Sequence, residues 1–300
     1  MSVVPGTLDP QVLSAIADLE LVARVTVDGT IAGLHRSPFH GYSAEFSQYR
    51  HYQQGDDLKY VDWKLVARTD RVYTKQFRET TNMAAMIVVD TSASMGFAGM
   101  ADAGSAASGS APSKFRYAVI AAAALAHLIA GQGDAVGLQG GERFIAPRAG
   151  RHHLRGVLAA LSSLGAQGAW AGAGDVRRAA ERLKRRGLLL VLSDFYDDED
   201  RTLAELRRVH RMGHEVVLFQ ILTRDEIELP YRRDVEFTDL ETGRRLAINA
   251  GLARRDYKDA VAAFLEKWRS RAAVEGFQYS LIVTDMPPQR ALRNFLLARR

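Results

Sequence analysis

Five short apolar runs punctuate the chain: Met83 to Val89, Ala135 to Leu138, Leu188 to Leu192, Glu215 to Leu222 and Gln278 to Val283. Apolar residues on successive positions over so few residues are the pattern of strands covered on both faces, as parallel strands are. Between and after these runs apolar residues recur at three- and four-residue spacing. That predicts helices over Lys114–Ala130, His152–Leu164, Asp175–Arg186, Glu199–Met212, Asp256–Glu275 and Pro288–Ala298. The alternation predicts an α/β fold, a doubly wound and mostly parallel sheet with helices on both faces. The most apolar helical stretch, Ala118 to Ala130, contains His127 and falls short of the roughly 20 residues that span a bilayer, so it reads as a core helix and no transmembrane segment is expected.

Upstream, Asp9-Pro10 is a helix start, because a carboxylate can cap the first free amides and proline needs no donor in the first turn. A helix is expected from Pro10 to Arg24, with Val12, Ile16, Leu19 and Ala23 on its buried face. From Gly33 to Arg78 periodicity fades into aromatic and charged residues with Pro38, Gly41 and Gly55 at turn points, which predicts short strands and ordered loops. Gly96 to Ser113, dominated by Gly, Ala and Ser, reads as a loop, and two short runs around Glu241-Thr242-Gly243 predict a β-hairpin over Val235–Ile248. The expected organisation is an N-terminal helix plus loop and β region over residues 1–82, packed on an α/β domain over 83–300 with a hairpin insertion at about 231–249.

Ligands of open parallel sheets bind outside the carboxyl ends of the strands. Asp90 ends the first run and opens Asp90-Thr91-Ser92-Ala93-Ser94, and Asp194 ends the third in LLLVLSDFYD. Two carboxylates from distant sequence and two hydroxyls at alternate positions suit Mg²⁺ or Mn²⁺, which take oxygen ligands and leave positions open for water or a partner's acidic group. A plainer reading of the pentapeptide is a strand-to-helix turn whose serines cap amides.

DTSASM resembles the Asp-x-Ser-x-Ser signature of the metal-ion-dependent adhesion site of von Willebrand factor A domains. By that resemblance Asp90, Ser92 and Ser94 are metal ligands, and Asp194 corresponds to the later aspartate of the site. The family also places a threonine on an intermediate loop. The matching segment here is GAWAGAGDV, with Gly174 where threonine is expected, and this leaves three outcomes open: weaker binding, Asp175 or water in its place, or loss of the metal.

A second resemblance spans almost the whole chain. HRSPFHGYSAEF, YRHYQQGDDLKYVDWKLVAR and VYTKQF look like the prokaryotic family called domain of unknown function 58, and SDF, GHEV and DLETG also fit. The residues in family order are Arg50, Tyr52, Gly55, Asp56, Asp57, Asp62, Trp63, Ala67 and Arg68. They admit a salt-bridge network in which Arg50 and Arg68 neutralise the carboxylates, a partner-docking surface, or catalytic paired carboxylates. The last is disfavoured because no histidine or nucleophile is attached to the motif.

This resemblance implies a chaperone-like accessory protein, acting with a MoxR-type AAA+ ATPase in assembly or activation of client protein complexes. The chain has no GxxxxGK[ST] phosphate loop, so ATP hydrolysis would belong to that partner. The alternative is a metal-dependent phosphoryl-transfer hydrolase with Asp90 as nucleophile. Against it, Ser92 stands where haloacid-dehalogenase-like phosphatases characteristically place a second aspartate. Composition narrows the field a little. A net charge of +5 from 40 basic and 35 acidic residues does not indicate nucleic acid. The absence of cysteine removes thiolate metal sites, and an amino terminus without a secretory pattern leads us to expect a cytoplasmic protein, while a non-enzymatic one is what the family resemblance implies.

Overall fold

The computed structural model describes residues 19–31, 44–54, 56–79, 83–99, 112–183, 186–196, 199–231 and 233–298. In chain order the strands are β1 (Ala44–His51), β2 (Tyr73–Glu79), β3 (Ala84–Val89), β4 (Ala135–Gly140), β5 (Arg143–Arg148), β6 (Leu188–Ser193), β7 (Glu215–Leu222), β8 (Asp234–Thr238), β9 (Arg245–Asn249) and β10 (Gln278–Val283). The helices are α1 (Leu19–Ile31), α2 (Trp63–Thr69), α3 (Lys114–Gly131), α4 (Arg151–Ser163), α5 (Gly172–Glu181), α6 (Glu199–Arg211), α7 (Arg224–Glu228), α8 (Ala250–Glu275) and α9 (Pro288–Ala298).

Six strands form one sheet in the order β10-β7-β6-β3-β4-β5, parallel throughout except for β5, which runs antiparallel to β4. Counted from the β5 edge in chain order this is 3-2-1-4-5-6, the doubly wound order, and its switch point lies between β3 and β6. The continuous apolar runs are explained by the two faces. On β3, Ala85, Ile87 and Val89 enter one core and Met86 and Val88 the other; on β6, Leu188, Leu190 and Leu192 alternate with Leu189 and Val191 in the same way. One face is covered by α1, α3, α4 and α9, the other by α5, α6 and α8.

Helix α3 begins at Ser113, whose hydroxyl accepts from the Arg116 amide, and is long and apolar enough in length and composition to cross a membrane. Here it is mostly buried: Ala121 to Ala124 contribute small side chains to the core, and Leu19, Val22, Ala23 and Val27 of α1 join the same cluster.

Several boundaries differ from the sequence expectation. The first helix continues past Arg24 to Ile31, and its expected start at Pro10 lies outside the described residues. Helix α5 stops at Glu181 rather than Arg186. Helix α8 begins at Ala250 rather than Asp256, because the Asn249 side chain caps it by accepting from the Leu252 amide. Strand β5 and the short helix α7 were not expected. Pro147 within β5 is tolerated because β5 is the sheet edge, where one side of the strand makes no ladder. The hairpin β8–β9 pairs Asp234 with Asn249 and Thr238 with Arg245, close to the expected span.

His214 illustrates how the core handles a titratable group. It follows the turn at Gly213, is buried, and its Nδ1 accepts from the Gly187 amide at 3.1 Å. Burial holds its pKa below the ordinary 6.5. A histidine depressed in the folded state stabilises it fully above the unfolded value and loses that contribution as pH falls through the folded value. The His214 contribution to the melting temperature, read as the difference between wild type and a variant that does not titrate there, should therefore shrink as pH drops below 6.5. His214→Asn, which keeps an acceptor near the Nδ1 position but does not titrate, should flatten that part of a pH series of thermal melts.

Candidate metal centre and the adjacent cleft

The switch point brings Asp90 and Asp194 together at adjacent strand ends. The Asp90 amide donates to the Leu192 carbonyl at 2.9 Å, continuing the β3–β6 pairing to the site. Its Oδ1 accepts from the Ser92 amide at 2.8 Å and its Oδ2 from Ser193 Oγ at 2.6 Å, while Ser92 Oγ and Ser94 Oγ share a hydrogen bond of 2.9 Å. Asp90, Ser92, Ser94 and Asp194 line one cavity of about 150 Å³, together with Trp170, Tyr196 and Glu241. Burial, and then the neighbouring Asp194, raise the Asp90 pKa well above the ordinary carboxylate range.

A buried lysine stands at the same place. Lys114, the first residue of α3 and 1% exposed, places Nζ 2.7 Å from Asp194 Oδ2 and 2.5 Å from Glu226 Oε1. Desolvation alone would lower its pKa, but Asp194 and Glu226 more than offset that and leave it raised, so the ammonium stays charged. Glu226 is positioned by α7, where it forms a capping box with Thr223. The local sum is one cation against Asp90, Asp194 and Glu226.

The loop before α5 departs from the expected pattern in a specific way. It is tied to the Asp90 loop by the Gln167 amide donating to the Thr91 carbonyl at 2.7 Å and the Ala93 amide to the Gly168 carbonyl at 2.8 Å. Its contribution to the cavity is Trp170, whereas Gly174 lies inside the first turn of α5. Asp175 does not serve as a substitute ligand: its oxygens accept from Trp170 Nε1 and Gln139 Nε2, each at 3.1 Å, and it is ion-paired with Arg178.

Asp194 is followed by a residue in an unusual conformation. Phe195 has φ 59°, in the left-handed region that a bulky side chain rarely adopts. It is held by its amide donating to Ser193 Oγ at 2.8 Å and by its ring packing 4.6 Å from Trp268 and 6.3 Å from Trp170. This fixes the direction in which Asp194 and Tyr196 leave the strand. Tyr196 stacks on Phe264 at 5.2 Å and lies 5.1 Å from Lys114 Nζ.

A cleft of about 500 Å³ adjoins the cavity and shares Ser94, Tyr196 and Glu241 with it. Phe97, Leu229, Phe237, Leu246 and Ile248 supply apolar lining, and Lys114, Asp225, Glu226, Asp239 and Glu241 charged lining. The hairpin therefore contributes to both spaces, through Glu241 at its turn and Phe237, Leu246 and Ile248 on its strands.

The residues present fit a divalent cation on three counts. The donors are oxygen only, Asp90 is buried beside a second carboxylate with its charge incompletely compensated, and the cavity has room for an ion with some of its water. Among the described residues there is no cluster of three or more His, Asp and Glu that could hold an ion, so a cation here depends on the serine hydroxyls. Lys114, Trp170, Tyr196, Glu226 and Glu241 were not identified from sequence. Lys114 carried one signal: a cation at the first turn of a buried helix sits at the positive end of its dipole and needs an anionic partner.

The Arg50–Arg68 residues form a separate network. Arg50 pairs with Asp56 at 2.7 Å, and Asp56 also accepts from the Gln53 amide and Thr74 Oγ1, which hold its pKa down. Asp57 caps the short turn Leu58–Tyr60 and pairs with Lys59 at 2.8 Å. Asp62 caps α2, accepts from Tyr49 at 2.8 Å and pairs with Lys75 at 3.1 Å; Tyr49 first and Lys75 next lower its pKa to about 2. Lys75, not Arg68, neutralises Asp62. Among the described residues no ion pair involves Arg68. The Tyr52 amide donates to the Val72 carbonyl, Trp63 is exposed, and Gly55 lies outside the described residues. None of these residues lines the cavity or the cleft.

Comparison with known proteins yields similarity at two levels. Uncharacterized protein Rv1480 of Mycobacterium tuberculosis and Uncharacterized protein Mb1516 of Mycobacterium bovis are each 32% identical over 267 residues, 85% of this chain and 79% of theirs. Among solved structures, the chain resembles an aerotolerance-related membrane protein from Bacteroides fragilis (16% identity, 72% of this chain and 99% of that one, TM-score 0.47). It also resembles BatB from Bacteroides thetaiotaomicron (11%, 72% and 98%, 0.46). The family described as "Protein of unknown function DUF58" matches residues 48–266, and with that match spanning most of its length the chain belongs to this family.

Proposed function

We propose that the chain is a non-catalytic adaptor that grips an acidic group of a partner protein through Mg²⁺ or Mn²⁺ held by Asp90, Ser92 and Ser94. It does so beside a MoxR-type AAA+ ATPase, in the cytoplasm, during assembly or activation of client protein complexes. The observation that carries this reading is the convergence of Asp90, Ser92, Ser94 and Asp194 on one cavity that adjoins an apolar cleft. A bound cation would supply a fixed positive centre for a carboxylate arriving from outside. Asp90 would anchor the ion, the two hydroxyls would complete its protein side, and Asp194 would reach it directly or through water. The cleft offers apolar surface next to that directional contact, the combination by which interfaces gain both affinity and register.

The hydrolase alternative is less well supported. Both oxygens of Asp90 already accept hydrogen bonds in the interior, from Ser92 and Ser193, which is poor presentation for in-line attack. Purified protein with Mg²⁺ should leave generic phosphate esters intact; turnover that disappears in Asp90→Asn would overturn the adaptor reading. Conversely, affinity capture from the native cell should recover an AAA+ ATPase with the wild-type chain in Mg²⁺. Recovery should fail in chelator and with Asp90→Ala, and equal recovery under all three conditions would exclude a cation-dependent grip.

A further inference from the structure

We propose that Lys114 is a built-in competitor of the divalent cation, a tethered positive charge that holds Asp194 until an ion displaces it and so couples metal uptake to the cleft. The competition presumes the cation site described above and adds to it a residue and a direction of control. Lys114 is buried, sits at the unfavourable end of its helix dipole, and is retained by two carboxylates, Asp194 at 2.7 Å and Glu226 at 2.5 Å. A divalent ion bound directly to Asp194 Oδ2, the oxygen that holds Lys114, at the usual metal–oxygen distance would lie within roughly 5 Å of the ammonium. At such a separation in a protein interior the repulsion is large, so the ion and the Lys114–Asp194 pair exclude one another.

The displaced charge already has a second partner. Glu226 is the second partner of Lys114, and both residues line the cleft. Metal entry therefore moves positive charge from the cavity toward the cleft. By thermodynamic reciprocity, an acidic group arriving in the cleft draws Lys114 off Asp194 and raises metal affinity. Partner and cation then bind cooperatively, with Lys114 as the element that both bias.

The test is calorimetric titration of Mg²⁺ into the full wild-type chain, Lys114→Met and Glu226→Gln, with thermal melts of each in chelator and in Mg²⁺. Lys114→Met should bind Mg²⁺ about tenfold more tightly or better, and its melting temperature should respond more strongly to Mg²⁺. Glu226→Gln leaves Lys114 on Asp194 alone and should bind severalfold more weakly. A lysine with a merely structural role would weaken binding in both variants, whereas competition moves them in opposite directions. Equal or weaker binding by a folded Lys114→Met overturns the competition. If that variant folds only with Mg²⁺, the competition is supported. If it stays unfolded even then, Lys114→Gln, which keeps a hydrogen-bond donor for Asp194 and Glu226 without the charge, decides: tighter Mg²⁺ binding than wild type supports the competition, and equal or weaker binding overturns it. A wild type that binds alongside an unchanged Lys114→Met leaves the cation grip standing and removes the competitor. A silent wild type with a binding Lys114→Met does the reverse, and silence in both removes both.

Discussion

Asp90→Asn should raise the melting temperature of the protein in metal-free buffer near neutral pH while abolishing its response to Mg²⁺. The two effects share one cause. Asp90 is almost fully buried next to Asp194, and its raised pKa means that the folded state resists its ionisation. A carboxyl whose pKa is higher folded than unfolded lowers stability progressively as pH rises above the unfolded value of 3.8, up to its folded value. The wild type without metal should therefore lose stability relative to the asparagine variant as pH climbs from that value toward neutrality. The gain at neutral pH is a few kcal/mol, worth several degrees of melting temperature in a chain of this size. Asparagine keeps the shape, and the Ser193 hydroxyl that donates to Oδ2 can rotate to accept from the new amide. Saturating Mg²⁺ reverses or narrows the ranking, since a ligand that binds only the folded wild type stabilises it by mass action. Thermal melts across pH, with and without Mg²⁺, check both signs.

Trp268→Ala is expected to cost about 3–5 kcal/mol of unfolding free energy, the range for removing a large aromatic from a packed core. Trp268 is 1% exposed on α8 and packs 4.6 Å from Phe195, the residue in left-handed conformation directly after Asp194. Without that indole Phe195 keeps only the more distant Trp170 ring at 6.3 Å and its bond to Ser193 Oγ, so the site should loosen together with the core. Mg²⁺ affinity should fall as well as stability. Trp268→Phe should cost far less, because the indole Nε1 is buried without a hydrogen-bond partner and its loss breaks no bond. Denaturant unfolding and Mg²⁺ titration of the two variants separate the packing effect from any role of the indole nitrogen. An alanine variant with wild-type metal affinity would show that Phe195 is held by other contacts.

The parts of this molecule that sequence reading reached are those where one physical demand dominates. Strands β3, β6 and β7 are covered on both faces, so their apolar runs could scarcely be read otherwise. Asp90 and Asp194 were placed because each immediately follows such a run, and strand order did the rest. What escaped was decided by packing between distant segments. Strand β5 carries a proline and little apolar alternation, and only its edge position makes it a strand. Trp170 rather than Gly174 faces the cavity, because the loop before α5 is stitched to the Asp90 loop through backbone bonds that no side-chain pattern records. The partners of Lys114 escaped for a related reason: they are 80 and 112 residues away, and one of them stands on a short helix with no apolar period of its own. The Arg50 network was partly legible, since Arg50 and Asp56 are near neighbours, but the partner of Asp62 is set by the β1–β2 pairing, which puts Lys75 opposite Tyr49.

The central claim is that Asp90, Ser92 and Ser94 hold a divalent cation, and calorimetric titration of Mg²⁺ and Mn²⁺ into the wild type and Asp90→Ala tests it most directly. The wild type should give a single-site binding isotherm that the variant lacks entirely. Heat traces that are the same in both proteins, for both ions, would contradict it.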